Sequence, residues 1–173
     1  MGRPTTGRTP FDRVVASHGV AVLRVCRAVL GPTADADDAW SETFLSAMRH
    51  FPELPADANV QAWLVTIAHR KAIDITRARA RQPMPVEELP DGISTIGDPQ
   101  ADDHQLWDLV AELPDKQRKA VAYRYLGGLP YADIAELLGG SADAARRAAA
   151  DGIRTLRTRV PERTAAPRKG QLR

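Results

Sequence analysis

The chain has 173 residues, 43% of them hydrophobic and 5% aromatic, and its 24 basic and 22 acidic side chains leave a formal net charge of +2. This length suits one domain or two small helical ones. The near balance of charge means that the molecule as a whole is not a polycation, so local charge matters more. A single cysteine excludes a disulfide scaffold and favours a cytoplasmic protein, while four widely separated histidines lack the spacing of metal ligands.

No stretch of the sequence suits a membrane span or a β-sheet. The longest apolar run, residues 19–30, is interrupted by Arg24 and Arg27, and valine, isoleucine and threonine alternate nowhere. We therefore predict an all-α fold of two small helical domains joined by a linker. The predicted segments are a disordered arm (1–10), a three-helix domain (11–81), a linker (82–101), a helix-turn-helix domain (102–160) and a loose basic tail (161–173).

Apolar residues at helical spacing predict three helices in the first domain. The predicted bounds are Phe11 to Gly31-Pro32, Thr33 or Asp35 to about Phe51, and about Asn59 to Arg81. In the second helix the apolar face is assigned to Trp40, Phe44, Ala47, Met48 and Phe51. The short loop between the second and third helices, residues 52–58, has few bulky groups and is small enough to cup a base.

Two charged segments of this domain allow both a structural and a functional interpretation. Asp35, Asp38 and Glu42 fall near one face at the start of the second helix. They either complement the helix dipole or form a docking surface for a basic partner helix. From Arg70 onward the third helix carries five basic residues against one acid, which suits either a phosphate-binding face or a solvated helix end.

Composition changes sharply after Arg81. Residues 82–101 contain four prolines and show no helical period, and between residues 82 and 115 nine acids occur without a single lysine or arginine. Proline-rich, non-periodic sequence predicts a linker, so the domain boundary lies here.

The second domain carries the most specific pattern in the chain. Residues 131–138 form a short amphipathic helix, Gly139-Gly140 stops it, and Ser141 can cap a second helix by accepting a backbone N–H bond. One side of that second helix is a stripe of small and apolar residues, and the other side carries arginines. The stripe comprises Ala145, Ala149, Gly152, Leu156 and Val160, and the arginines are Arg146, Arg147, Arg154 and Arg157. A helix with an apolar back and an arginine front is typical of one that enters a DNA major groove.

Three ordered blocks resemble the extracytoplasmic-function (ECF) group of bacterial sigma-70-type sigma factors. Asp35 to Phe44, DADDAWSETF, is similar to the region 2.2 pattern D-A-E-D-hydrophobic-hydrophobic-Q-E-T-F. Residues 63–77 resemble region 2.4, W-L-x-x-I-A-R-N-x-A-I-D-x-x-R. Residues 113–118 (LPDKQR) and 128–139 resemble region 4. The resemblance covers about residues 11–160.

The resemblance implies an alternative sigma factor that directs core RNA polymerase to specific promoters. The residues themselves indicate no cofactor or metal. The implied partners are the β′ clamp and β flap of polymerase and promoter DNA, with an anti-sigma factor as a further candidate. The implied polymerase-binding residues are Asp35, Asp38, Glu42 and Phe44. Those implied for the −10 element are Asn59, Trp63, His69, Arg70 and Arg77, and those for the −35 element are Arg118, Ser141, Arg146, Arg147 and Arg154.

The chain departs from the family pattern at several positions, in region 2.2, in region 2.4 and in the recognition helix. Ser41 replaces the usual glutamine of region 2.2, and His69-Arg70 replaces Arg-Asn in region 2.4. The recognition helix has Ala148 and Asp151 where the family usually places arginine. Two alternatives therefore stay open: a stand-alone helix-turn-helix regulator, and a degenerate sigma homologue that binds polymerase without selecting promoters. An enzyme is not indicated, because the sequence shows no nucleophile–base pair, metal spacing or phosphate-binding loop.

Overall fold

A computed structural model describes residues 10–81 and 104–165, with side chains placed at 10–81 and 108–159. These residues form seven α-helices and one short 3-10 helix, Phe51–Glu53, and contain no extended strand. The α-helices are α1 (Phe11–Leu30), α2 (Ala34–His50), α3 (Val60–Arg81), α4 (His104–Ala111), α5 (Asp115–Tyr125), α6 (Tyr131–Leu138) and α7 (Ala142–Ala165). None of the described helices is long and apolar enough to cross a membrane.

Helices α1, α2 and α3 pack together as a three-helix bundle, as the sequence predicted. Helix α1 ends where Gly31 takes a positive φ of 76°, a conformation that glycine adopts without steric cost. Trp40 donates its indole N–H to the carbonyl of Gly19 at 2.9 Å and so fixes α2 against α1. Aromatic rings close one end of the bundle, with Phe44 contacting Trp40 at 4.9 Å and Phe11 at 6.3 Å between centroids.

One assignment in α2 is wrong. Met48 was placed on the apolar face, but it is 52% exposed. The buried residues of the helix are Ala36, Asp37, Ala39, Thr43, Phe44 and Ala47. Successive residues of an α-helix differ by about 100° around its axis, so Met48, one step beyond Ala47, lies at the edge of the buried face and turns toward solvent.

Helices α4 to α7 form the helix-turn-helix domain. Gly139 and Gly140 both have positive φ and separate α6 from α7, and the backbone N–H of Ala144 donates to the hydroxyl of Ser141 at 3.1 Å. The predicted small-residue stripe is buried at Ala145, Ala149, Gly152 and Leu156, while the side chain of Val160 lies outside the described set. A Cβ on Gly152 would come within 2.7 Å of Val121 Cγ2, so this glycine allows the close approach of α7 to α5.

The two domains are not separate bodies in this structure. One buried apolar cluster contains Leu64 and Ala68 of α3, Tyr123 of α5 and Ile134 of α6, and helix α1 packs on α5. The sequence predicted two domains joined by a linker and gave no sign that they pack on each other. Because the domains meet through residues that also belong to each domain's own core pattern, periodicity alone could not reveal the junction.

Helix α7 also differs from its prediction, because it continues through Pro161 to Ala165, past the expected end at residue 160. The φ of proline is already near the helical value, but inside a helix proline removes one backbone hydrogen bond and its ring crowds the carbonyl four residues earlier, so it weakens the last turns of α7. Residues 1–9 of the predicted arm 1–10, the predicted linker 82–101 and residues 166–173 of the predicted tail 161–173 lie outside the described residues.

Candidate nucleic-acid interface

The outward face of α7 carries arginines, and their surroundings differ from one to the next. Arg146 is paired with Asp143 at 2.7 Å and Arg154 with Asp151 at 2.9 Å, each acid lying three residues earlier on the same helix. Arg147 is exposed, and no ion pair or hydrogen bond holds it among the described residues. Of the three arginines predicted for the −35 element on this helix, Arg147 is therefore the one whose guanidinium is fully available to a ligand.

Tyr131, the first residue of α6, connects two basic side chains at the same end of the domain. The guanidinium carbon of Arg124 lies 4.9 Å from its ring centroid and that of Arg146 lies 5.4 Å away. Guanidinium groups over an aromatic face are held by cation–π attraction, and Arg124 also donates to the carbonyl of Leu129 at 3.1 Å. Sequence reasoning missed Arg124 and Tyr131, although a tyrosine at the start of the first helix of the motif was visible.

The structure places Arg118 away from this face. Its Nε donates to the Ala28 carbonyl at 2.7 Å, Nη1 to Ala111 and Leu113 carbonyls at 3.0 and 3.3 Å, and Nη2 to Asp115 at 3.2 Å. Four hydrogen bonds thus hold the planar guanidinium at the junction of α1 and α5. This placement does not support the predicted −35 contact of Arg118, and it gives the residue a structural role instead.

Ser141 is predicted both to cap α7 and to touch DNA. Its side chain is exposed, and its oxygen accepts the hydrogen bond from Ala144 described above. Capping consumes an acceptor lone pair and leaves the hydroxyl proton available for a phosphate oxygen. The two predicted roles are therefore chemically compatible.

The residues implied for the −10 element lie along α3 but do not share one environment. Asn59 caps the helix by accepting the N–H of Ala62 at 3.0 Å, Trp63 is half-buried, and Arg70 and Arg77 are exposed. His69 differs from the others because it is only 8% exposed. In this conformation its imidazole cannot reach a DNA base.

His69 is buried because α5 covers it. Its Nδ1 lies 2.6 Å from the Tyr123 hydroxyl, and the two rings meet edge to face at a centroid distance of 5.4 Å. Burial lowers the pKa of His69 below its ordinary 6.5, and the nearby charges of Lys119 and Arg70 lower it further, against a backbone hydrogen bond at Leu137 that raises it. Burial likewise raises the pKa of the Tyr123 phenol. Both groups are therefore neutral at physiological pH.

The acidic face of α2 is partly compensated by α3. Asp35 pairs with Arg79 at 2.6 Å and Glu42 with Lys71 at 3.5 Å, whereas Asp38 is exposed. Phe44 is 7% exposed and packs in the core, so its ring supports the face from beneath and does not form part of it. Leu45, which the sequence reading passed over, is 47% exposed and lies one turn beyond Glu42, with Met48 the next turn along.

Comparison with known proteins identifies the family. Residues 14–82 match the family described as Sigma-70 region 2, and residues 103–156 match the family described as Sigma-70, region 4. The ECF RNA polymerase sigma factor SigK of Mycolicibacterium vanbaalenii is 33% identical over 157 residues, covering 85% of this chain and 78% of that protein. The chain belongs to the ECF sigma factors. As such, it is an alternative sigma factor that directs RNA polymerase to promoters.

Other relatives of this ECF sigma factor agree with the assignment. SigK of Mycobacterium tuberculosis is 28% identical over 75% of this chain and 74% of its own length, and BldN of Streptomyces coelicolor is 29% identical over 88% and 61%. Among solved structures, the sigma factor RpoE in complex with the anti-sigma factor NepR from Bartonella quintana aligns with a TM-score of 0.62 at 18% identity, covering 87% of this chain and 96% of that one. CnrH in complex with the cytosolic domain of CnrY gives 0.55 at 21% identity, covering 88% of each. These structures share the fold. Sigma factors as a family are initiation factors and not enzymes.

Proposed function

We propose that this sigma factor reads the −35 element with α7, chiefly through Arg147. The supporting observation is the exposure of Arg147 on a helix that Ser141 caps and whose opposite side is buried against α5 and α6. The N-terminal turns of a recognition helix are those that reach base edges, and an arginine there can bind guanine through two hydrogen bonds. Arg154 lies two turns further along and suits a backbone phosphate.

The −10 element would be bound along α3 by the exposed cations Arg70 and Arg77, with Trp63 and Asn59 near the start of the helix. The loop that precedes Asn59 would receive an unstacked base. Flipping a base out of the stack costs a few kcal/mol, so the pocket must return that energy through stacking and hydrogen bonds. His69 would join this surface only after α5 has moved away from it.

Core polymerase would dock on the outer face of α2. Asp38 and Glu42 supply charge for a basic β′ clamp helix, and Leu45 and Met48 add exposed apolar area beside them. Asp35 is only 16% exposed at its side chain and is held by Arg79, so it contributes to the local potential more than to direct contact. Complementary charges of this kind steer association and fix register.

Three further assignments rest on the family alone. We place the protein in the cytoplasm, where polymerase and the chromosome are, and we expect the acidic linker to lie in the RNA path of polymerase while region 4 meets the β flap. We also expect an anti-sigma factor as a partner, because the solved sigma factor RpoE is in complex with one.

The decisive experiment is transcription from a genomic fragment library by core polymerase reconstituted with this protein. We expect initiation at a distinct promoter set, and the Arg147→Ala holoenzyme should lose sequence preference at one −35 position, worth about 1–3 kcal/mol of discrimination. Lys116→Ala serves as a matched control, because Lys116 is an exposed cation of the same domain that lies on α5.

The same assay distinguishes this function from that of a degenerate sigma homologue. Arg146 and Arg154 are each compensated by an acid, which favours a degenerate sigma homologue that binds polymerase without selecting promoters. Binding to core polymerase with no specific initiation would establish that alternative. Binding to neither polymerase nor DNA would contradict both functions.

A further inference from the structure

A cluster of charged and aromatic side chains lies at the start of α7. Asp143 accepts a hydrogen bond from Nη1 of Arg146 at 2.7 Å, and the guanidinium carbon of Arg146 lies 5.4 Å from the ring centroid of Tyr131. The guanidinium carbon of Arg124 lies 4.9 Å from the same centroid, and Arg124 donates in turn to the Leu129 carbonyl. The acid and the ring therefore both restrict how the Arg146 side chain can turn.

The ion pair leaves hydrogen-bonding groups of both partners available. A guanidinium carries five N–H donors, and the contact with Asp143 takes one of them. A carboxylate has about four lone-pair sites, and only Oδ1 of Asp143 accepts from Arg146. The side chains of Arg146 and Asp143 are 59% and 74% exposed. The pair therefore presents donors and acceptors side by side to a ligand.

This mixed set of groups suits the edge of a base pair better than a phosphate. Phosphate oxygens accept hydrogen bonds from cationic side chains, and a carboxylate beside the cation repels them. In the major groove, guanine offers the acceptors N7 and O6, and its cytosine partner offers the N4 donor beside them. Arginine bonds both guanine atoms, and aspartate accepts from cytosine N4. Thymine would instead present its O4 acceptor to the carboxylate, which disfavours an A·T pair.

The position of the pair along α7 supports contact with bases. The helix begins at Ala142, so Asp143 and Arg146 both lie in its first two turns. These are the turns of a recognition helix that reach base edges. A second ion pair, Arg154 with Asp151 at 2.9 Å, has the same spacing but lies about two turns further along the helix. Chemically equal pairs thus occupy two different positions relative to the groove.

We propose that Asp143 and Arg146 together select one G·C base pair of the −35 element. Arg146 bonds guanine, and Asp143 bonds the cytosine of the same pair. Tyr131 and Arg124 are positioning residues, because they hold the Arg146 guanidinium and leave its donors available. This inference rests on the proposed function of α7 and adds an acid to the residues that read bases.

The test uses core polymerase reconstituted with the full chain and a promoter library randomised across the −35 element. At one position, wild type should bind G·C better than A·T by about 5- to 150-fold. Asp143→Ala and Arg146→Ala should each relax that same position, whereas Arg147→Ala should relax a different one. Asp143→Asn keeps an acceptor and gains an N–H donor, so it should accept thymine as well as cytosine.

Asp151→Ala is the matched control, because it removes the same charge from the other ion pair of the helix. It frees Arg154 for phosphate and should raise affinity for all sequences alike, with base preference unchanged. Circular dichroism verifies that each variant is folded. If Asp143→Ala fails to fold, Asp143→Asn carries the test.

A modified base separates direct contact from support of Arg146. N4-methylcytosine at the selected position replaces the N–H that faces the groove by a methyl group. Wild-type holoenzyme should lose about fivefold or more in affinity for this promoter, and Asp143→Ala holoenzyme should not. Equal effects of methylation on both proteins would show that Asp143 does not touch cytosine and would overturn the inference.

The remaining outcomes separate this inference from the proposed function. A G·C preference that persists in folded Asp143→Ala overturns the inference, even if initiation is promoter-specific. Relaxation by Asp143→Ala and Arg146→Ala at two different positions overturns it as well. A wild-type preference in Arg147→Ala, together with the expected changes at Asp143, contradicts only the role proposed for Arg147. A wild type without preference anywhere in the −35 element contradicts both.

Discussion

The Tyr123 hydroxyl and the Nδ1 of His69 lie 2.6 Å apart, and both residues are buried. The two residues are 54 positions apart in sequence and belong to different domains. Their hydrogen bond therefore joins the helix that carries the proposed −10 surface to the helix that supports the recognition helix. A change at either residue should be felt in both domains.

Removing the Tyr123 hydroxyl should destabilise the protein. In Tyr123→Phe the ring still fills its site, but Nδ1 of His69 stays buried without a partner, at a cost of about 1–3 kcal/mol. Urea unfolding followed by circular dichroism measures the free energy of unfolding directly. Tyr125→Phe, at an exposed position of the same helix, should change it by less than about 0.5 kcal/mol. Equal stability of the two variants would show that the buried hydrogen bond contributes nothing.

Stability should also fall with mild acidification. The folded-state pKa of His69 is below its ordinary 6.5, so the unfolded chain binds a proton at higher pH than the folded one does. The contribution of His69 is therefore complete above pH 6.5 and is lost as pH falls toward the lowered pKa. The groups around the imidazole are Lys119 of α5, Arg70 of α3, the Tyr123 phenol and the backbone of Leu137, and both cations oppose its protonation.

The measurement is the free energy of unfolding of wild type and His69→Gln between pH 7.5 and 5. Glutamine does not titrate, so the difference between the two proteins should shrink as pH falls. A difference that stays constant across this range would mean that His69 has the same pKa in the folded and unfolded chain.

The cap of α7 offers a local test of the helix that reads DNA. Ser141→Ala leaves the N–H of Ala144 without its side-chain acceptor and should cost about 1 kcal/mol of stability. Ser141→Asp should restore the cap, because aspartate is an equally good acceptor and complements the helix dipole. Thermal unfolding compares the three proteins. An aspartate variant as unstable as the alanine variant would show that capping is not what Ser141 contributes.

Reversing charge on the face of α2 should abolish polymerase binding. In Asp38→Lys/Glu42→Lys, two acids that face the basic clamp become cations and repel it. The new lysine at position 42 also repels Lys71, which pairs with Glu42 in the wild type. Gel filtration with core polymerase at moderate salt detects the complex, and the helical spectrum should be unchanged. Asp12→Lys on α1 is the matched control for an exposed acid. Persistent binding by the double variant would show that the face is merely solvated.

Local features of the structure could be predicted from the sequence because their causes are local. Gly139-Gly140 followed by Ser141 predicted the break between α6 and α7. As predicted, α6 ends at Leu138 and α7 begins directly after Ser141. The small-residue stripe of α7 was visible because helical periodicity reports burial directly. Of its predicted members, Ala149 is fully buried, as expected.

Residues that act across the domain junction could not be predicted in the same way. Arg118 and Arg147 look equally basic in the sequence, yet one is bound to a carbonyl 90 positions away and the other is exposed. His69 likewise sits within a motif suggestive of DNA contact, and only its distant partner Tyr123 shows that it is covered. Long-range pairing decides these cases, and no short-range pattern encodes it.

Asp143 and Asp151 should reduce the number of salt ions that DNA releases when α7 binds to it. A lysine or arginine that meets a phosphate normally displaces condensed salt ions from DNA, and each such displacement steepens the salt dependence of affinity by about one power of concentration. Arg146 and Arg154 already carry a fixed anion beside them, so each pair adds almost no net positive charge at the groove. Among the arginines of this helix, Arg147 and Arg157 should therefore contribute most of the salt dependence of DNA binding. The domain should stay bound to a promoter at ionic strengths that would dissociate a domain with a more basic recognition helix.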